Sequence, residues 1–225
     1  MSFSGKTVVV TGGAGALGMA VCRAFLDQGA RVHALDVGKG GSAALADEKG
    51  FSLHILNLSH EEEVSEWFSG MGSLDVLINV AGGFAMAPVA ETSLADWSKM
   101  QEMNLTTAFL ACREAVKLME KGGRIVNVSS FAAEGRTGGM AAYTVSKGAV
   151  ITLTEALAEE TLASKITVNA VLPTIMDTPA NRAAMKDADY SAWVPLQNVA
   201  ETMLFLASDS AWHITGACIP LRGHC

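Results

Sequence analysis

Apolar positions alternate between two periodicities along the whole chain. Residues 6–10 form a short β-branched run, and residues 16–28 follow with helical spacing, placing Leu17, Ala20, Val21, Ala24 and Phe25 on one face. Residues 31–36 read as a strand again, then come a weak helix at 42–49 and a strand at 52–58. Residues 60–69 open with acidic side chains, as the positive end of a helix favours. Residues 74–80 are almost continuously apolar, the pattern of a strand covered on both faces. Two long helical stretches, 94–120 with a break near Asn104 and 141–163, flank a strand at 124–128. A strand at 166–172, a helix at 198–207 and a short strand at 217–221 complete the series. Such β-α alternation predicts a doubly wound α/β fold, a mainly parallel seven-stranded sheet with helices on both faces. With no linker or repeat in sight, residues 1–225 are expected to form one domain.

Composition narrows the function classes. Half of the residues are apolar and 17% are charged, enough for a packed core and against disorder. The net charge of −7, with basic residues scattered, argues against a nucleic-acid partner. No apolar run reaches the roughly 18 to 20 residues that span a bilayer, so no membrane segment is expected. Residues 1–6 run straight into the first strand and do not read as a signal peptide. Cys22, Cys112, Cys218 and Cys225 are far apart and lack ligand spacing, which predicts reduced thiols in a cytoplasmic protein and no metal site. Cys225, at the chain end, is the one position where a reactive thiol is left open.

The first strand leads through Thr11-Gly12-Gly13-Ala14-Gly15-Ala16-Leu17-Gly18 directly into a helix. Glycines at this spacing let backbone approach a pyrophosphate, and the helix N-terminus offers unpaired N–H groups and partial positive charge. This is the strand–turn–helix context that a Rossmann-type dinucleotide site requires. Asp36 ends the second strand, 18 positions beyond Gly18. A carboxylate there can accept hydrogen bonds from ribose hydroxyls and would repel a 2′-phosphate. No Arg or Lys lies in the glycine loop, and Lys39 is the first basic residue after Asp36. NAD(H) is therefore expected in preference to NADP(H).

Tyr143 and Lys147, four apart, would stand one turn apart on a helical face, close enough for the ammonium to lower the phenol pKa. Alone, such a pair is an ordinary helix surface; its weight comes from company. Ser130 lies just beyond the strand at 124–128, where ligands collect in open α/β sheets. With the Thr11-to-Gly18 loop, Asn79-Val80-Ala81-Gly82, Asn104, Ser130 and Tyr143-x-x-x-Lys147, the chain resembles the classical short-chain dehydrogenase/reductase family over essentially its whole length. Pro173 followed by Thr178, and Ile214-Thr215-Gly216, also match.

The resemblance implies Tyr143 as general acid or base, Ser130 as hydrogen-bond partner of the substrate oxygen, and Lys147 on the nicotinamide ribose. It implies that Asn104 interrupts its helix and holds a water in a proton relay through Lys147. Asn57 and Leu58, then Asn79, Ala81 and Gly82, would line adenine and ribose; Pro173, Ile175 and Thr178 would meet the nicotinamide end. It further implies a small-molecule carbonyl or alcohol substrate, a homotetramer, and a short substrate lid at residues 174–195. Phe84, Met86, Met140, Met176, Met185 and Trp193 are candidate walls of a compact, apolar pocket. Departures from the family pattern are Ala16 and Thr174 in place of glycine, Asn57 in place of aspartate, and the ending Leu221-Arg222-Gly223-His224-Cys225 in place of an acidic, glycine-rich close. Three functions remain open: a secondary-alcohol dehydrogenase or ketone reductase, a reductase of 3-oxoacyl thioesters, and a dinucleotide-binding sensor or scaffold without turnover.

Overall fold

The backbone alternates strand and helix as its apolar periodicity demands, in a computed structural model that describes residues 1–135 and 137–224. Cys225 lies outside the described residues. The elements are β1 (Thr7–Thr11), α1 (Ala16–Asp27), β2 (Arg31–Asp36), β3 (Phe51–Ile55), α2 (Glu61–Ser69), β4 (Val76–Asn79), α3 (Leu94–Gln101), α4 (Thr107–Leu118), β5 (Gly123–Val128), α5 (Ala141–Thr161), β6 (Ile166–Pro173), α6 (Pro179–Ala184), α7 (Leu196–Leu206) and β7 (Cys218–Leu221). The strands form one sheet in the order β3-β2-β1-β4-β5-β6-β7, and every pairing is parallel. Strand order reverses between β1 and β4, which opens a crevice beyond their sequence-final ends.

Successive strand residues face opposite sides, and here both sides are covered. Val8, Val10, Ile78 and Val126 pack on one side with Val21 and Phe25 of α1 and Met203 and Leu206 of α7. Val9, Leu77, Ile125 and Val168 pack on the other with Phe68 of α2 and Leu110, Ala111 and Ala115 of α4. That is why these strands read as continuous apolar runs. No helix among the described residues is long and apolar enough to cross a membrane.

Three strand ends break the apolar rule. Thr11, Asn79 and Asn127 stand side by side in register on β1, β4 and β5, all buried. The Thr11 hydroxyl donates to Asn79 Oδ1 (3.3 Å), Asn79 Nδ2 to Asn127 Oδ1 (2.9 Å), and Asn127 Nδ2 to Thr154 Oγ1 of α5 (2.9 Å). Thr154 in turn donates to the Val150 carbonyl (2.8 Å), so the line closes on backbone.

Local differences from the periodicity have local causes. The stretch at 94–120 divides into α3 and α4 around a π-helical turn at Glu102–Thr106, which turns Asn104 inward. Only one 3-10 turn, Ser42–Leu45, forms where a helix to residue 49 was expected. The strand at 52–58 stops at Ile55, because Asn57 begins an Asx turn with Ser59. α6 escaped the periodicity because it is six residues long; Thr178 caps it and Pro179 occupies its first turn.

Replacing Asn127 with the near-isosteric Leu removes one acceptor from Asn79 Nδ2 and one donor from Thr154 Oγ1, leaving them only Cys112 Sγ and the Val150 carbonyl. Urea unfolding is expected to show a loss of about 2 to 4 kcal/mol; an unchanged midpoint would show that the buried line contributes nothing.

Candidate active site

The turn after β1 is shaped by what it must avoid. Gly12 has φ +63°, and a Cβ there would lie 2.8 Å from the Ala81 backbone. A Cβ on Gly18 would lie 2.1 Å from the Gly12 carbonyl, so α1 can sit on the turn only because residue 18 has no side chain. Gly13 and Leu17 are buried in that packing, whereas Gly15 and Ala16 are exposed at the mouth of the crevice. The methyl group that Ala16 adds is therefore in open space. No side chain caps α1 and no acidic residue lies in its first turn, leaving its positive end free for an anion. A cradle that backbone fills only through glycine, opening on an uncapped helix, fits a dinucleotide pyrophosphate.

Asp36 closes the far side. Its carboxylate accepts the Ala14 N–H (3.0 Å) and the Gly38 N–H (3.3 Å), which ties the end of β2 to the glycine turn. Val37 and Ile55 beside it are exposed apolar side chains, surfaces suited to a flat base. The two residues expected next to adenine are engaged elsewhere. Asn57 Oδ1 accepts from the Ser59 N–H (3.1 Å) and Ser59 Oγ (3.0 Å), and the Leu58 side chain is buried in the core.

On the opposite wall, the Thr11 hydroxyl accepts the N–H groups of Val80 and Ala81 at 3.1 and 3.2 Å, holding the segment after β4 against the glycine turn. A Cβ on Gly82 would lie 2.5 Å from Asn104 Oδ1 and 3.1 Å from Lys147 Nζ, so three sequence-distant candidates meet at one point. Asn104 clamps Gly83 in both directions, accepting its N–H (2.8 Å) and donating to its carbonyl (3.1 Å). It also donates to Ser146 Oγ at 3.0 Å, a partner that sequence reasoning missed although it sits three residues after Tyr143.

Lys147 is 5% exposed, and its ammonium donates to the Val128 carbonyl at 2.9 Å. Ser129 Oγ donates to the Lys147 carbonyl (2.7 Å), fastening α5 to the end of β5. Burial lowers the Lys147 pKa to about 8. Ser130 is buried next to it, accepting the Ala132 N–H (3.3 Å). The Tyr143 phenol is held above its ordinary pKa by partial burial, and the neighbouring Ser130 hydroxyl pulls it back down. The expectation that Lys147 sets the phenol pKa thus differs from what is found: burial dominates, and Ser130 is the opposing group.

The open side of Tyr143 is aromatic and aliphatic. The Phe84 ring meets it edge to face at 4.9 Å while remaining 58% exposed, and Met86 is similarly exposed next to Gly139. Ala87 and Met140 form an isolated parallel bridge that holds this wall. Of the other wall candidates, Trp193 is buried and Met176 packs against the core, leaving Met185 half-buried. Pro173 is buried at the end of β6, Ile175 is exposed, and Thr178 Oγ1 accepts the Asn181 N–H (3.1 Å) as the cap of α6.

Comparison with known proteins agrees with this geometry. Residues 12–223 match the family model described as Enoyl-(Acyl carrier protein) reductase. The chain is 31% identical over 239 residues to D-threitol dehydrogenase of Mycolicibacterium smegmatis, covering 97% of this chain and 92% of that protein. It is 30% identical over 239 residues to the 3-oxoacyl-(acyl-carrier-protein) reductase FabG of Escherichia coli, covering 99% and 98%. Among solved structures, a Beutenbergia cavernae protein with NADP bound at low occupancy superposes with a TM-score of 0.91 at 30% identity, covering 99% of this chain and 97% of that one. The chain belongs to the short-chain dehydrogenase/reductase family and is an NAD(P)-dependent oxidoreductase.

Burial of Lys147 makes stability depend on pH. The unfolded chain keeps this proton up to about pH 10.5 and the folded chain loses it near 8, so between these values the unfolded state binds more protons. Stability should therefore rise by about 3 kcal/mol from this residue as pH climbs through that window. Urea unfolding at pH 7.5 and pH 10 should show the gain in the wild type relative to Lys147→Met; parallel pH dependences would refute it.

Proposed function

We propose that the protein interconverts a secondary alcohol and its ketone with NAD(H), Tyr143 moving the proton. The observation that carries this reading is the convergence of Ser130, Tyr143 and Lys147 at the sequence-final end of β5, across the crevice from the glycine turn. Nicotinamide, when bound, supplies or accepts the hydride. In reduction, Tyr143 donates its proton to the carbonyl oxygen while the Ser130 hydroxyl bonds the same oxygen and stabilises its developing charge. A phenol raised by burial stays protonated at neutral pH, which suits the acid role. Lys147 holds the ribose hydroxyls, and Asn104, by clamping Gly83, keeps the wall next to Lys147 in place.

Gly12, Gly13, Gly15, Ala16, Leu17 and Gly18 form the pyrophosphate cradle, with Asp36 on the adenosine ribose. A carboxylate already fixed by two backbone N–H groups presents its free lone pairs to hydroxyls and repels a 2′-phosphate, which supports NAD(H) over NADP(H). Residues 174–195 act as the short lid over a small carbonyl or alcohol substrate, within a single catalytic domain spanning residues 1–225. Reduction of a 3-oxoacyl thioester is the second reading, supported by the kinship with the acyl-carrier-protein reductase. The net charge of −7 disfavours docking of an acidic carrier. A cytoplasmic setting is consistent with the buried free thiols of Cys22 and Cys112.

Assembly as a homotetramer is supported by the apolar side chains that α4 and α5 leave on the surface, Phe109 and Val145, with Leu162 just beyond. Sedimentation should give a mass near four chains; a monomeric mass would refute this assembly. Steady-state assays with small ketones should give kcat/KM at least about tenfold higher with NADH than with NADPH, a difference of about 1.4 kcal/mol. Tyr143→Phe should lose at least about a thousandfold in turnover while NADH affinity is kept. Equal turnover of the variant would remove Tyr143 from the proton step, and silence of the wild type on every carbonyl despite NADH binding would favour the sensor reading.

A further inference from the structure

Two departures from the family pattern, Thr174 and the ending after Leu221, turn out to be one feature. Leu221 is the register partner of Pro173, and its carbonyl accepts the Thr174 N–H at 2.9 Å. Thr174 Oγ1 then accepts the Gly223 N–H at 3.1 Å, a bond that glycine at 174 could not make. On its other side, Gly223 abuts the Ala192 carbonyl so closely that a Cβ would lie 1.9 Å from it. The tail is thus clamped on both flanks by the segment at 174–195. Arg222 projects between the clamps, its guanidinium 4.9 Å from the centre of the Phe131 ring. Phe131 directly follows Ser130.

Arg23, Arg113, Arg124 and Arg182 each face a carboxylate. Arg222 is exposed, and its recorded contact among the described residues is the ring. A guanidinium stacked on an aromatic face keeps its in-plane N–H groups free, and they match a carboxylate in pairs. The ring also restricts the side chain before any ligand arrives, lowering the ordering cost of binding.

The cofactor phosphates are the wrong target. Strand β7 lies four steps from β1 in the sheet, about 19 Å at the usual ~4.8 Å spacing. The reacting carbonyl, next to Ser130 at the end of β5, is the near neighbour. On a chain of net charge −7, an anionic substrate is repelled overall, so a fixed local cation decides whether it is accepted.

We propose that Arg222 is a specificity-determining residue that receives the carboxylate of the substrate, so that the preferred class is short oxo acids and their hydroxy-acid counterparts. This rests on the hydride-transfer reading and adds the substrate class. The apolar body of such a molecule would lie along Phe84 and Met86, with its carbonyl at Ser130 and Tyr143.

The test compares acetoacetate with its neutral methyl ester in the full-length protein, with NADH and NADPH, for the wild type, Arg222→Gln and Arg222→Lys. Expected is a lower KM for acetoacetate in the wild type, raised about tenfold by Arg222→Gln and partly restored by Arg222→Lys. Kinetics with the ester should not change. Added salt should raise KM for acetoacetate alone. Equal effects on both compounds, no effect on either, or no preference in the wild type would overturn the assignment. If neither compound turns over, the hydride-transfer reading is judged separately on the panel of small ketones. Calorimetry of acetoacetate with the NADH complex then decides: binding lost in Arg222→Gln supports the carboxylate site, and absent or unchanged binding overturns it.

Discussion

The site depends on the line of side-chain hydrogen bonds that crosses the sheet from Thr11 through Asn79 and Asn127 to Thr154. These groups are buried where water cannot replace a missing partner, so a one-residue slip of any strand would strand several of them at once. Apolar packing alone tolerates small shifts; this line does not. Each strand member sits just before a candidate site segment: Thr11 before the glycine turn, Asn79 before the wall at residues 80–83, and Asn127 before Ser129 and Ser130. Thr154 lies two turns beyond Lys147 on the helix that carries Tyr143. The polar line sets the mutual spacing of groups that the chain brings together from residues 12 to 147.

Around that frame, groups that would be unfavourable elsewhere are kept. Lys147 is an ammonium with almost no solvent, satisfied by the Val128 carbonyl. The positive end of α1 has no side-chain cap and no acidic residue in its first turn. Phe84 and Met86 lie in water beside a half-buried phenol. Each is a local cost that a bound dinucleotide and substrate would relieve, which is the usual mark of a preorganised site.

Much of this is legible in the sequence, for reasons that differ by residue. Strands buried on both faces announce themselves as apolar runs, and β1, β4 and β5 are of that kind. The break at Asn104 showed as a polar residue in an apolar helix, and the glycine turn as close spacing before a helical period. The Asx turn of Asn57 with Ser59 and the burial of Leu58 are set by tertiary packing, which the local pattern does not show. The electrostatics of Tyr143 were also hidden: helical spacing puts a cation near the phenol but does not reveal that the cation is buried and the phenol partly desolvated. Thr174 and the chain ending each stood out as departures. That they bond to each other, 49 residues apart, is a contact no local pattern encodes.

The segment that follows β6 has both of its ends pinned. Met176 and Val194 form a parallel bridge, reinforced by Val194 N–H to the Ile175 carbonyl and Asp177 N–H to the Val194 carbonyl, both 2.9 Å. Any movement of this segment is therefore confined to the stretch between these points, which carries α6. A loop that small sweeps through water quickly and encloses little volume. With both ends fixed, the segment can rearrange only within itself, so its motion is local and not the swing of a whole arm.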